Sequence, residues 1–281
     1  KQIVEHGFNV FPENLENGGT ATSGGNMSDG VYQYRAIYTW TDNKGQVHRS
    51  APSPALDVTL SGGPVIQTQT VTVPTLRITE KTDVTIELYR TEDAGTIFYR
   101  VSSPSSPTYN DPTVDSLDLI DTTSDADLID NELLYTTGGV LDNTAPPSAS
   151  IIENFQGRIF ISGLEDDNQI QFSKIRQSAS PVEFNDSQVI NVGSLGGKIV
   201  ALAEMDDKLI IFKERAIFYL TGEGPNNLGQ QNNFISPELI TNDVGCLSQN
   251  SVLLTPLGLM FQTRKGIYLL TRSLGINYIG S

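Results

Sequence analysis

The chain has 281 residues, of which 38% are hydrophobic and 18% are charged, a balance that predicts globular domains rather than a disordered chain. Its formal net charge is −15. A surface this acidic repels phosphate groups, which argues against stable wrapping of nucleic acid and against docking on an anionic membrane.

Residues 1–30 are predicted to hold an N-terminal strand and a linker, or the end of a preceding propeller segment. Residues 13–30 carry few large aliphatic side chains and many Gly, Asn, Ser and Thr, a composition typical of a loop. The sequence begins and stops in the middle of regular patterns, so we expect both ends to be cuts within a longer protein.

A β-sandwich is predicted for residues 31–135. Val31–Trp40 alternates with period two, which predicts a strand whose first face carries Tyr32, Tyr34, Ala36, Tyr38 and Trp40. Asp42–Gly45 predicts a turn, and Val47 begins the return strand. Strands spaced in this way over about 100 residues are typical of a β-sandwich, and the others are predicted at Val71–Val73, Val84–Arg90 and Ile97–Val101.

Two features mark the end of this first domain. Ser124 can cap a short helix within Asp125–Leu134, because a serine hydroxyl accepts from the first helical N–H groups and acidic residues favour the first turn. Residues 136–150 contain two glycines and the pair Pro146-Pro147, which predicts a linker.

The second half of the chain, residues 151–281, repeats itself. Three segments resemble one another, at residues 156–162, 206–212 and 257–263. They align if Gly157, Asp207 and Gly258 are placed at the same position, which indicates a period of about 50 residues. A second strand follows each segment, at 169–173, 216–221 and 266–271. Ile199–Leu202 and Leu253-Leu254 supply a further strand before the second and third segments.

Such a repeat predicts the blades of a β-propeller. A unit of four short strands cannot bury both of its faces alone, whereas stacking against neighbours around an axis does so. Three units do not close a ring, since propellers have roughly 4–8 blades, so the propeller is expected to be partial. A second β-sandwich with chance internal similarity is the alternative. Either way the fold class is all-β.

The sequence offers little support for catalysis, and we expect no enzyme, no cofactor and no catalytic or metal-binding residue. The two histidines are His6 and His48, and no Gly-x-Ser-x-Gly motif accompanies them. Cys246 has no histidine near it in the sequence, cannot form an internal disulfide, and is predicted to be a small buried residue. The sequence contains no run of about 20 apolar residues, so no membrane-spanning helix is predicted.

Three polar stretches could still bind a ligand. Glu165–Asn168 and Asp125–Glu132 are dense in the oxygen atoms that calcium prefers, but neither has the central glycine of an EF-hand loop, and we interpret both as solvated acidic stretches. Gly193–Lys198 faintly resembles a phosphate-binding loop, but it lacks the spacing of that motif and leads into a predicted strand, so we do not expect it to bind a nucleotide.

Several motifs resemble known families. Tyr32–Trp40 with Asp42–Gly45, Ser50–Ser53, Ile86–Thr91 and Tyr99 resembles a fibronectin type III-like, immunoglobulin-like module. The second half resembles the propeller of the nozzle, or tail tubular, proteins of short-tailed bacteriophages, in Leu209–Gly222, Asn242–Cys246, Leu254–Gly258 and Lys265–Leu270. The resemblance runs from about residue 31 onward, and the chain is shorter than a complete nozzle protein.

The resemblance implies a structural protein of the phage tail, made in the bacterial cytoplasm and located in the virion. In that family, copies form a homo-oligomeric ring around the channel below the portal, and double-stranded DNA leaves through it without specific binding. The implied partners are further copies, the portal or adaptor protein and other tail proteins. One alternative is a host-surface module that binds a glycan or receptor. Another is a propeller-type carbohydrate-active enzyme, which needs two carboxylates about 5–9.5 Å apart in one cleft.

Overall fold

A computed structural model describes residues 5, 7–63, 66–178 and 180–280; His6 lies outside them. The described residues are nearly all in strands and connecting turns, so the all-β prediction is confirmed. They form two compact units, which we call unit 1 (residues 1–145 and 179–181) and unit 2 (residues 146–178 and 182–281).

Unit 1 contains two antiparallel sheets. In the smaller sheet the strand order is β1-β5-β9, with bounds Glu16–Ala21, Thr68–Pro74 and Ser116–Asp121. The larger sheet is built around β2 (Gly30–Thr41), which pairs with β3 (Val47–Arg49), β4 (Leu56–Leu60) and β6 (Thr85–Arg90). Strand β6 also pairs with β7 (Tyr99–Arg100) and β8 (Thr108–Tyr109).

The aromatic face predicted for β2 forms the core of unit 1. Tyr32, Tyr34, Ala36 and Tyr38 are buried together with Val71 and Val73 of β5 and with Ile86 and Leu88 of β6. Alternation places every second side chain on the same face, so one strand can contribute a whole layer of the sandwich core. The turn after β2 also forms as predicted, with Gly45 at a φ of 79°.

Two local predictions for unit 1 need adjustment. Residues 13–30 are not simply a loop, because β1 forms there and pairs with β5. Its side chains are all exposed, so no buried face marks the strand in the sequence, although Asn17 and Thr20 hydrogen-bond to Gln69 of β5. The helix α1 begins as predicted, with the Ser124 hydroxyl accepting from the Asp127 N–H at 3.2 Å, but it ends after one turn at Leu128.

Unit 2 contains three four-stranded antiparallel sheets, each a meander in chain order. The first sheet is β10–β13 (Ile151–Phe155, Arg158–Ser162, Gln169–Ser173 and Phe184–Asn191). The second sheet is β14–β17 (Ile199–Met205, Lys208–Lys213, Ile217–Leu220 and Glu238–Thr241). The third sheet is β18–β21 (Leu253–Thr255, Gly258–Thr263, Gly266–Thr271 and Ile276–Gly280). This is a propeller-like arrangement of strands.

The register of the third repeat differs by one residue from the prediction. The first hairpin of each sheet turns at Gln156-Gly157, Asp206-Asp207 and Pro256-Leu257, a spacing of 50 residues each time. Gly258 is therefore a strand residue, and Leu257 rather than Gly258 occupies the position in the repeat that is equivalent to Gly157. Gly258 follows the turn and starts β19, where glycine is required because a Cβ would collide with the Leu270 carbonyl. A one-residue slip exchanges the two faces of a strand, so this correction decides which side chains meet.

The corrected register gives each sheet a forward face, toward the next sheet in the chain, and a backward face. On the forward face of the first sheet, Phe160 and Phe172 pack against Leu202 and Ile211 on the backward face of the second. The forward face of the second packs in the same way on the backward face of the third, where the rings of Phe212 and Phe261 lie 5.0 Å apart. Successive sheets thus share their cores.

Candidate functional site

A cleft of about 530 Å³ opens beside the first strands of the three sheets in unit 2. Its apolar floor includes Leu202 and Leu259. Its polar lining consists of Glu153 on β10, Glu204 at the end of β14, Asp206 in the following turn, Gln249 and Arg272. Acidic groups from two consecutive repeats therefore face one space.

Glu153 is the titratable group in the cleft whose environment changes it most clearly. Burial raises the pKa of its carboxyl group, and the negative charge of Glu204 raises it further, while the backbone N–H groups of Asn154 and Glu204 oppose the shift. A carboxyl group with a raised pKa in the same cleft as a second carboxyl group is an arrangement found at general acid–base sites. Asp206 differs from Glu153 in having a cationic partner, because its carboxylate forms an ion pair with Arg272.

Gln249 closes the edge of the second sheet at this cleft. Its amide accepts from the Leu202 N–H at 2.8 Å and donates to the Leu202 carbonyl at 2.9 Å, so one side chain replaces a neighbouring strand. Neither Gln249 nor the pair Glu153 and Glu204 is among the residues that the sequence pattern singles out. The available signal was a glutamate in each of two mainly apolar first strands.

The acidic turn Glu165–Asn168 joins two sheets rather than standing free. Asp166 accepts the Asn168 N–H at 2.9 Å, and the Asp167 carbonyl accepts the Ile199 N–H at 3.0 Å. The Asn168 amide oxygen accepts from the buried Lys213 ammonium group at 2.7 Å. In the described part of the chain, no group of three or more His, Cys, Asp or Glu side chains is arranged to hold a metal ion.

The second acidic stretch, Asp125–Glu132, fastens unit 1. Asp125 lies 2.6 Å from the buried Arg90 guanidinium, which spans from β6 to this segment. Glu132 lies 3.3 Å from Arg100 and 3.5 Å from Arg49. These carboxylates are used in ion pairs within the sandwich.

The glycine-rich loop at residues 193–198 supports the hairpin between β15 and β16. Gly196 has a φ of 88° and packs against Ala216, and its carbonyl accepts the Arg215 N–H at 2.9 Å. The Gly193 carbonyl accepts from Lys213 Nζ at 2.5 Å. The loop leads into strand β14, so it lacks the helix N-terminus that a phosphate loop provides.

The remaining reactive side chains occupy structural positions. His48 is buried on β3, where its ring lies 5.1 Å from that of Trp40 and its Nε2 lies 3.4 Å from Asp42. Cys246 is buried as expected, with Sγ 3.3 Å from the Ser248 carbonyl and from the Ser251 hydroxyl.

No protein-family model and no curated protein matches this chain. Within the residues that the structure describes, no helix has the length and apolar character required to cross a membrane.

Proposed function

We propose that this chain is a structural protein of a bacteriophage tail, a nozzle or tail-tube component that acts by its shape. Its sheets form part of a wall around the DNA exit channel, and its sandwich packs against neighbouring tail subunits. Copies associate into a ring that also contacts the portal or adaptor protein. The protein works in the virion and performs no reaction in this role.

The observation that carries the proposal is the contact between two separate segments that carry the resemblance. Gly245 packs so closely on the backbone of Lys213 and Glu214 that no side chain would fit there. The next residue, Cys246, donates its N–H to the Lys213 carbonyl at 2.9 Å. The motif Asn242–Cys246 therefore braces the hairpin within Leu209–Gly222, which supports reading both segments as parts of one repeated blade.

The charge of the chain supports the same function. A wall along which DNA slides must not hold it, and a net charge of −15 makes the chain as a whole repel a polyanion. The exposed turn residues Glu165 and Asp167 contribute to such a surface.

The proposal is tested with the purified chain by negative-stain electron microscopy and by a gel-shift assay with double-stranded DNA at several salt concentrations. We expect ring-shaped particles, and no retention of DNA even at low salt. DNA binding that weakens steeply with added salt would contradict a passive wall. Binding to a glycan array by particles that form no ring would favour the host-recognition alternative instead.

The cleft in unit 2 favours one second candidate, a carbohydrate-active enzyme. Glu153 and Glu204 are two carboxyl groups in one cleft, and Glu153 is the one whose pKa is raised, as a general acid requires. The test is hydrolysis of a panel of chromogenic glycosides by the wild type, Glu153→Gln and Glu204→Gln. Activity that both substitutions abolish, in variants that remain folded, would support this candidate; an inactive wild type would oppose it.

A further inference from the structure

Asn17 and Gly18 on the edge strand β1 form the only Asn-Gly pair in the sequence. In such a pair the backbone nitrogen of the glycine can attack the side-chain amide of the asparagine, because glycine has no side chain that hinders the approach. Both residues are exposed to water. The pairing with β5 skips Gly18, since Asn17 pairs with Val71 and Gly19 pairs with Thr70. The reactive pair therefore lies at a β-bulge and not in a regular ladder.

Two N–H donors hold the oxygen of the Asn17 side-chain amide. The Gly19 backbone N–H donates to Oδ1 at 2.9 Å, and Gln69 Nε2 donates to the same atom at 2.7 Å. Attack on Cγ of Asn17 moves negative charge onto this oxygen, and a hydrogen bond strengthens as its acceptor becomes charged. Two donors that are already in place therefore form a small oxyanion hole on the surface of unit 1.

The contacts of Gln69 fix its amide group in this position. The residue is fully buried, and its Oε1 accepts from the Thr20 hydroxyl at 2.8 Å. Its Nε2 also donates to the Thr70 carbonyl at 2.6 Å. A backbone carbonyl can only accept, so the nitrogen of the Gln69 amide faces both Thr70 and Asn17. The donor is thus oriented before any reaction begins.

We propose that Asn17 is a site of spontaneous deamidation, which the fold promotes through Gly19 and Gln69. The Gly18 nitrogen gives its proton to water or hydroxide, and its electron pair forms a bond to Asn17 Cγ. The π electrons of the amide carbonyl move to Oδ1 and return as the bond from Cγ to Nδ2 breaks. Nδ2 takes up a proton and leaves as ammonia. Water then opens the succinimide ring at either carbonyl, which yields aspartate or isoaspartate.

Either product changes the smaller sheet of unit 1. Aspartate adds a negative charge next to Glu16, whereas isoaspartate carries the main chain through the former side chain and so lengthens the backbone of β1. A longer backbone moves residues 19–21 out of register with residues 68–70 of β5. We expect β1 to separate from β5 in the isoaspartate form. This inference concerns unit 1 and is independent of the proposed tail function.

The first test is peptide mapping by mass spectrometry after the chain has been incubated at mildly alkaline pH. The change of mass reports conversion of the amide to an acid, and an isoaspartyl methyltransferase labels isoaspartate. We expect Asn17 to convert faster than any other asparagine, and faster in the folded chain than in the same chain unfolded in guanidinium chloride. The unfolded chain keeps the Asn-Gly pair but loses the donors at Oδ1. Equal or faster conversion in the unfolded chain would overturn the proposal.

The second test removes the donor that the fold supplies. Gln69→Leu should slow the conversion of Asn17 about 2–10-fold, the effect of one hydrogen bond. Thr20→Val, at an exposed position, frees the Gln69 amide and should slow it less. Gln33→Leu is the matched control, because Gln33 donates to a carboxylate away from β1, and it should leave the rate unchanged.

Circular dichroism verifies that each of these variants is folded, and Thr20→Val decides the test if Gln69→Leu does not fold. An unchanged rate in the folded variants would show that the Asn-Gly pair alone determines the reaction. A faster rate would show that the contacts of Gln69 protect Asn17. Either result would refute promotion by the fold.

Discussion

Arg90 and Asp121 form an ion pair in which both side chains are completely buried, with the guanidinium Nε 2.6 Å from the carboxylate. The pair joins β6 of the larger sheet to β9 of the smaller one. Arg90 also contacts Asp125 and donates to the Thr123 carbonyl, and its guanidinium lies 4.7 Å from the centre of the Tyr32 ring. One cation thus fastens the two layers of the sandwich and the start of α1.

Removing the cation should strongly destabilise unit 1. We expect Arg90→Met to lower the free energy of unfolding by about 3–5 kcal/mol, because it leaves the Asp121 charge buried without its partner. The measurement is urea unfolding followed by the fluorescence of Trp40, the only tryptophan, which packs against the core of unit 1.

An exposed ion pair of unit 1 provides the control for this variant. Arg77 and Asp115 form an ion pair on the surface, and Arg77→Met should change the free energy of unfolding by less than about 1 kcal/mol. Equal effects of the two substitutions would show that burial of the Arg90 pair does not matter.

Three buried tyrosines of unit 1 should resist ionisation. Burial raises the pKa of Tyr34, Tyr38 and Tyr89, and the charges of Asp121 on Tyr34 and of Glu87 on Tyr89 raise it further. A raised pKa means that the neutral phenol stabilises the fold below the unfolded value of about 10, and that this contribution is lost as the pH rises above it.

An alkaline titration of phenolate absorbance checks this expectation. Part of the ten tyrosines should ionise near pH 10, and the buried ones only when the circular dichroism signal of the fold is lost at higher pH. Adding denaturant should merge the two phases into one. A single phase near pH 10 with the fold intact would contradict the buried environment of these side chains.

The register of the third sheet can be tested at Gly258. Its φ is 143°, and a Cβ would collide with the Leu270 carbonyl across the strand pair. Gly258→Ala should therefore destabilise unit 2 by roughly 1–3 kcal/mol. Gly138→Ala is the control, because that glycine has open space around it and no positive φ, and its effect should stay within about 0.5 kcal/mol. Thermal unfolding followed by circular dichroism measures both, and equal melting temperatures would argue against the register.

How far the sequence predicts this structure depends on whether side chains or backbone determine each element. Strand β2 was predictable because its alternating tyrosines form the core, and the sheets of unit 2 were predictable because the repeat recurs. Strand β1 was not predictable, because it is rich in glycine and fully exposed and so shows no alternation of buried and exposed side chains. The cleft was not either, because Glu153 and Glu204 come from different repeats and meet only when the sheets stack.

The cleft yields a prediction about pH. The pKa of Glu153 is raised by burial and then by Glu204, so the folded chain binds this proton more tightly than the unfolded chain does. This group therefore favours folding below the unfolded pKa of about 4.5, and the contribution is lost as the pH rises through the folded value. Glu153→Gln, which is neutral at every pH, should raise the melting temperature of unit 2 at neutral pH.

The pH series and a second variant make this prediction specific. The advantage of Glu153→Gln over the wild type should shrink as the pH falls, because the wild-type carboxyl group then becomes neutral as well. Glu204→Gln should stabilise by a smaller amount, since it removes the repulsion and leaves the burial of Glu153 in place. If Glu153→Gln melted lower than the wild type at neutral pH, the ionised carboxylate would be stabilising the sheets, and Arg272, the cation that lines the same cleft, would be its candidate partner.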